Sequence, residues 1–168
     1  MKVLLIKTSS MGDVIHALPA VTEAVQRVKG MELAWIVEER LADLVRKHPS
    51  VARVIQVSIR RWRQSWWRYR EEIRAFLAEV RDTEYDLVID SQGLIKSSLL
   101  TVLARGEVHG YAGGSAKEPL ATAFYQHNHD ISKEQHAVIR QKLLIAASLV
   151  YESDLEVVYG LKQAVATE

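Results

Sequence analysis

The chain has 168 residues, 48% of them apolar and 26% charged, with 22 basic against 21 acidic side chains, a formal net charge of +1 and no cysteine. These figures describe one globular domain and exclude a disordered tail, a disulfide scaffold, a thiolate metal centre and cysteine catalysis. No apolar run reaches the roughly 20 residues that cross a bilayer, and Met1-Lys2 leads into a strand pattern rather than a signal segment, so a cytoplasmic protein is the expectation.

Lys2 to Ile6 reads as a short strand of branched apolar residues, and Thr8 to Gly12 as the polar turn after it. A helix begins near Asp13, with Val14, Leu18, Val21, Val25 and Val28 on one stripe facing a sheet. Pro19 removes a backbone donor from that pattern, which predicts a kink or a break into two short helices, and Gly30 ends it. Leu33 to Val37 is the second strand, Glu39 to Arg46 a short helix that stops before Pro49, and Val54 to Val57 the third strand. The spacing predicts one long helix from Trp62 to Arg81, with Trp62, Trp66, Tyr69, Ile73, Phe76 and Val80 on its core stripe. Tyr85 to Ile89 is a fourth strand, Asp90 to Gly93 caps a helix carrying Leu94 to Leu103, and Val108 to Tyr111 is a weaker fifth strand. A last helix covers Glu134 to Leu149, with Leu143, Leu144 and Ala147 on one face. Strands and helices alternate, and each strand is nearly continuously apolar. The expected fold class is therefore α/β, a parallel sheet with helices on both faces.

In such a sheet the chemistry belongs at the carboxyl ends of the strands. That edge collects residues 7–16, Glu38-Glu39, the Arg60 to Arg63 turn, Asp90 to Lys96 and the Gly113 to Lys117 loop. In the first of these, Gly12 permits close backbone approach or a positive φ, and the amides opening the helix suit an anion together with Ser10. The single glycine fits neither a Walker loop nor a dinucleotide fingerprint. Asp13 is a helix cap or a general base; a helix start favours its carboxylate, whereas removal of water disfavours it. His16, three residues on, lacks a third ligand at metal spacing and reads as packed beside Asp13. At the fourth strand, Gln92, Gly93 and Lys96 repeat the pattern of turn, helix start and cation, for an anion, a sugar hydroxyl or a plain cap. His136 and Arg140 read as a polar face of the last helix.

Residues 51–75 hold seven arginines against two glutamates, a local charge of +5 on a chain whose total is +1. Arg63, Trp67, Arg70 and Arg74 fall at steps of four, three and four on an outer stripe of the expected long helix. Guanidinium forks bind phosphate and carboxylate in pairs, so this face suits a small anionic ligand or anionic lipid heads, with aromatic side chains beside the charge as at a membrane interface. The alternatives are a solvated face with internal ion pairs and a stand-alone nucleotide- or nucleic-acid-binding α/β domain using residues 60–74.

Lys7-Thr-Ser-Ser-Met-Gly-Asp-Val-Ile-His-Ala-Leu-Pro-Ala20, Arg60-Arg-Trp-Arg63, Asp90-Ser-Gln-Gly-Leu-Ile-Lys-Ser97, Lys117-Glu-Pro-Leu-Ala121, Phe124-Tyr125 and Gln135-His-Ala-Val138 together resemble the bacterial heptosyltransferases, inverting glycosyltransferases with two Rossmann-like halves. The likeness runs from residue 1 to about 150, and the arginine–tryptophan block points to the first-acting branch of that family. The resemblance implies a Rossmann-like parallel sheet, the N-terminal half of a GT-B type glycosyltransferase, with residues 1–150 as the acceptor-binding domain and residues 151–168 as the start of an interdomain linker or a truncated tail. It implies transfer of L-glycero-D-manno-heptose from ADP-heptose to a Kdo sugar of Kdo2-lipid A at the cytoplasmic face of a Gram-negative inner membrane. By it Asp13 is the base, and Arg60, Arg61, Arg63 and Lys117 contact the acceptor's phosphates and carboxylates. Lys117 stands where the family usually has arginine, which keeps the charge and loses the fork. Ser10, Gly12, Gln92 and Lys96 complete the candidate acceptor site. No metal and no nucleic acid are expected, and the ADP-sugar is expected to bind a C-terminal half, without which the chain is inactive.

Overall fold

Val3, Leu4, Leu5 and Ile6 alternate across β1 (Lys2–Ile6), and all four are fully buried, so this strand lies inside a sheet covered on both faces. In the computed structural model, which describes residues 1–161, β1 pairs with β2 (Glu32–Glu38) on one side and β4 (Glu84–Asp90) on the other. With β3 (Val51–Val57), β5 (Arg105–Tyr111) and β6 (His127–His129) they form a six-stranded, wholly parallel sheet in the order β3-β2-β1-β4-β5-β6. The chain winds outward from β1 to β3, then crosses back to lay β4 on the other edge of β1. That reversal opens a crevice between the carboxyl ends of β1 and β4, the place where open α/β sheets bind ligands.

Val3 and Leu5 face a layer made by α1 (Met11–Arg27), α2 (Ala42–Arg46) and α6 (Ala137–Leu149). Leu4 and Ile6 face the opposite layer, where Phe76 and Val80 of α4 (Arg70–Arg81) and Leu100 of α5 (Ile95–Thr101) close the core. The expected α/β architecture is the observed one. Among the described residues no helix is long and apolar enough to cross a membrane.

Several local expectations are corrected. α1 runs as one helix through Pro19 rather than as two. Val14, Ala17, Leu18, Ala20, Val21 and Ala24 are all fully buried, and that packing outweighs one missing backbone bond. The single helix expected over 62–81 is instead α3 (Ile59–Gln64) and α4, separated at Ser65 to Tyr69. The break lets the Trp62 ring rest on Phe76 at 5.4 Å and lets Arg61 and Trp62 Nε1 both donate to Glu72. A straight helix would hold Arg61 and Glu72 about 16 Å apart along its axis. Trp66, placed by the periodicity on the core stripe, is 66% exposed at this turn, and Trp67, placed on the outer stripe, is 58% exposed. The outer arginine stripe is lost with the helix: Arg70 and Arg74 both turn to Glu71. Of the expected face of α6, Leu144 is fully buried and Leu143 packs against the core, but Ala147 faces solvent; Val138, Gln141, Lys142, Ile145 and Leu149 join Leu144 on the buried side. The polar strand β6 carries no apolar signal in the sequence. Residues 151–161 lack regular secondary structure yet lie against the body, where Ser153 Oγ and the Asp154 amide donate to Glu23. The rest of the expected 151–168 tail, residues 162–168, lies outside the described residues.

One close approach predicts a stability effect. A Cβ on Gly110 would lie 2.3 Å from the Tyr125 ring, whose hydroxyl donates at 2.6 Å to the fully buried Asp90 carboxylate. Gly110→Ala is expected to cost about 2–3 kcal/mol in urea unfolding, through overpacking and the weakened Asp90 bond. In a Tyr125→Phe background the same change should cost less, and full additivity of the two would separate Gly110 from that bond.

Candidate functional site

α1 starts where β1 ends, so its first turn stands over the β1–β4 crevice. Ser10 precedes the helix, and its amide and hydroxyl both donate to Asp13 Oδ2 at 3.1 Å. The other carboxylate oxygen, Oδ1, faces Lys117 Nζ at 3.5 Å. Asp13 thus closes the helix start with one oxygen and presents the second to a pocket. Burial pushes its carboxyl up, but the Ser10 hydrogen bonds and the Lys7 and Lys117 charges outweigh that and hold it below the ordinary carboxylate value. Gly12 has no positive φ, contrary to one of its expected uses, and a Cβ there would meet nothing within 4 Å. The approach to the helix start is open.

The floor of the pocket comes from the neighbouring strand ends. Lys7 is 1% exposed, and its ammonium donates to the Ser91 carbonyl at 3.1 Å. Burial, with Lys117 and Arg140 nearby, pulls its amine down to about 8 against the opposing charge of Asp13. Gln92 Oε1 accepts from both the amide and the hydroxyl of Thr8 at 2.8 Å, tying the loop after β1 to the loop after β4. The Gly93 turn behind it has φ +68, and a Cβ would press on Tyr111 at 3.2 Å. Asp90 is no ligand contact. Fully buried, it accepts from the Gln92 and Gly93 amides, Ser97 Oγ and Tyr125, which is the cap reading of that motif. Arg140 reaches across from α6, donating to the Ser115 carbonyl with its guanidinium 4.8 Å from the Tyr111 ring centre. The space these groups enclose beside Asp13 is about 40 Å³, the room of one water or one hydroxyl.

A larger groove of about 410 Å³ lies beside it at the ends of β2 and β3, lined by Ser9, Glu38, Arg60, Arg61, Gln64 and Lys96. Its extension passes Arg63. Lys96 Nζ stands 3.5 Å from Ser9 Oγ, at the divide between groove and pocket. Burial raises the Glu38 carboxyl above its ordinary value despite Lys96 and Arg40. Arg60 and Arg63 are exposed and have no carboxylate partner among the described residues. Arg61 differs: its terminal nitrogens donate to both Glu72 oxygens and to Glu39, at 2.7–3.1 Å, and its guanidinium lies over Tyr69.

The sequence candidates therefore sort into two adjacent spaces at one sheet edge. Asp13, Gln92 and Lys117 line the pocket; Arg60, Arg61 and Lys96 line the groove, and Arg63 its extension. Ser10 orients Asp13. His16 meets His136 edge-on at 5.7 Å. Lys7, Tyr111, Arg140 and Gln141 are pocket residues that the sequence reading did not assign. Arg140 had a usable signal, a cation on the last helix beside a histidine, but only the α1–α6 contact brings it to Asp13.

Residues 73–167 match the model of glycosyltransferase family 9 (heptosyltransferase). Lipopolysaccharide heptosyltransferase 1 of Escherichia coli (strain K12) is 49% identical over 154 residues, 90% of this chain and 48% of that protein. Its counterpart in Salmonella typhimurium (strain LT2) is 50% identical over 155 residues, 90% of this chain and 49% of that one. The solved structure of E. coli heptosyltransferase WaaC with ADP-2-deoxy-2-fluoro heptose superposes with a TM-score of 0.91 at 47% identity, covering 95% of this chain and 52% of that chain. The chain spans about half the length of the curated relatives it matches.

Proposed function

The chain belongs to glycosyltransferase family 9, the heptosyltransferases, and from that premise we propose that it is the acceptor-binding half of an inverting transferase moving L-glycero-D-manno-heptose from ADP-heptose to Kdo of Kdo2-lipid A. Its six-stranded parallel sheet has the Rossmann-like form of the N-terminal domain of a GT-B fold. The observation that carries the reading is the Asp13 carboxylate, held by Ser10 and turned toward a hydroxyl-sized pocket beside a cationic groove.

In this reading an acceptor hydroxyl enters the pocket and gives its proton to Asp13 Oδ1. The freed oxygen bonds to the anomeric carbon of the heptose from the face opposite the diphosphate, the carbon–oxygen bond to ADP breaks, and ADP leaves with the electron pair. Water excluded by the acceptor raises the basicity of Asp13 as the site fills. Arg60, Arg63, Lys96 and Lys117 hold the acceptor's carboxylates and phosphates, while Arg61, anchored on Glu39 and Glu72, holds α3 in place beneath them. Gln92 fixes the two loops, and Gly12 leaves the helix amides open to the acceptor. In this reading the groups that neutralise departing ADP belong to the half of the relatives that this chain does not span. No metal cofactor and no nucleic acid enter the scheme.

Trp66, Trp67, Arg63, Arg68 and Arg70 form an exposed aromatic and cationic turn at the groove. It suits peripheral contact with anionic lipid at the cytoplasmic face of the inner membrane, where Kdo2-lipid A is anchored.

Calorimetry tests the division of labour. The deacylated Kdo2-lipid A headgroup is expected to bind this chain with an affinity that falls as salt rises, and ADP-heptose to bind at least about tenfold more weakly. Equal binding of the two would overturn the assignment of this half to the acceptor.

A further inference from the structure

Strand β6 is three residues long and wholly polar, His127-Asn128-His129, and its register with β5 sets His127 beside His109 and His129 beside Tyr111. Alternation along β5 puts Glu107 and His109 on one face, and the register puts His127 and His129 on that same face. The side chains meet accordingly. His109 Nδ1 shares a hydrogen bond with His129 Nε2 at 3.0 Å, and the His109 ring stacks on His127 at 4.4 Å. His127 Nε2 lies 3.5 Å from Glu107 Oε2. Ligand atoms of Glu107, His109 and His127 all fall within 4.8 Å of one another.

One further feature distinguishes this cluster from a chance surface group. His109 is only 7% exposed, and its Nε2 is buried with no hydrogen-bond partner among the described residues. A buried polar atom left over in this way calls for a ligand or a water. With Nδ1 held by His129, the ring has the outer hydrogen bond that orients metal-binding imidazoles and leaves Nε2 as the donor atom. None of the four residues lines the Asp13 pocket or the groove beside it.

We propose that Glu107, His109 and His127 form a binding site for a divalent transition-metal ion, zinc being the best fit, outside the transferase site. Two imidazoles and one carboxylate are a donor set for zinc, nickel, copper or cobalt, whereas calcium and magnesium require oxygen ligands. Water takes the fourth position of a tetrahedral site, while His129 stays on His109 Nδ1. The ion bridges β5 to β6, and so clamps the two ends of the segment 112–126. That segment brings Lys117 to Asp13 and Tyr125 to Asp90. Closing it at its base removes conformational freedom from the loop that carries Lys117.

Calorimetric titration of the untagged 168-residue chain with zinc chloride near neutral pH, with thermal melts in parallel, tests the site. One zinc per chain is expected, with a rise in melting temperature, and magnesium should produce neither. His127→Ala, at an exposed strand position, should leave the metal-free melt in place, weaken zinc binding at least about tenfold and abolish the rise. Glu107→Gln should weaken binding less, and His16→Ala, at the other histidine pair, should leave it unchanged. Absence of saturable zinc binding, binding undiminished in His127→Ala, or loss in His16→Ala instead would each overturn the proposal.

Discussion

Asp13→Ala, in a two-half heptosyltransferase carrying this chain as its N-terminal half, is expected to lower kcat by about 10²–10⁴-fold while the acceptor KM changes by less than about threefold. The asymmetry follows from geometry. Asp13 Oδ1 faces a space that holds one hydroxyl, whereas the groove cations proposed to bind the acceptor lie on other strand ends. Because the Ser10 bonds and the Lys7 and Lys117 charges outweigh burial and hold the carboxyl below its ordinary value, the acid limb of kcat/KM assigned to Asp13 should lie at lower pH than that of a free aspartate. Lys117→Met removes one of those charges, so it should move the limb upward as well as raise the acceptor KM. A kcat for Asp13→Ala within about threefold of the parent would leave Asp13 as a helix cap alone, and its loss would then appear only in the melting temperature.

The residues that make the β1–β4 crevice were legible because each is adjacent in sequence to a strongly apolar strand. Once Lys2 to Ile6 and Tyr85 to Ile89 are read as buried parallel strands, Asp13 and Gln92 have to lie at their carboxyl ends, with no knowledge of strand order needed. Lys7 was harder to read, since a lysine after a strand looks like the first solvated residue of a loop. Its burial depends on Ser91 arriving from the far side of the crossover. The break at Ser65 to Tyr69 had no sequence signal of its own, because Trp62, Trp66, Tyr69 and Ile73 keep helical spacing straight through it. What decides the break is the attraction of Arg61 and Trp62 to Glu72, a contact that local periodicity does not encode. Strand β6 was missed for a related reason: His127-Asn128-His129 has no apolar alternation, and only pairing with β5 makes it a strand.

The second large effect concerns the contact that joins the far side of the molecule. Lys142 on α6 and Glu23 on α1 are 1% and 5% exposed at the side chain, and they meet at 3.2 Å between the two helices. Both also hold the segment after α6. Lys142 donates to Asp154 at 3.2 Å and to the Glu156 carbonyl, while Glu23 accepts from Ser153 and from the Asp154 amide. Lys142→Met would leave the Glu23 carboxylate buried with no cation, and is expected to cost about 3–5 kcal/mol in urea unfolding. Adding Glu23→Gln to it should recover most of that loss, because the uncompensated charge disappears. Additive losses in the double variant, or a single-variant cost below about 1 kcal/mol, would show that the pair is solvated rather than buried. Asp154 tests the same network through pH. The Glu156 amide and the Lys142 and Arg27 charges bring its carboxyl down to about 2 from 3.8. A depressed carboxyl contributes stability that is complete above the unfolded value and lost as pH falls through the folded one. The grip of residues 153–156 on α1 and α6 should therefore persist to mildly acidic pH and weaken only between 3.8 and about 2. Amide exchange at Asp154 and Glu156 reads this directly. Release at pH 5 would mean that the network does not hold the Asp154 charge.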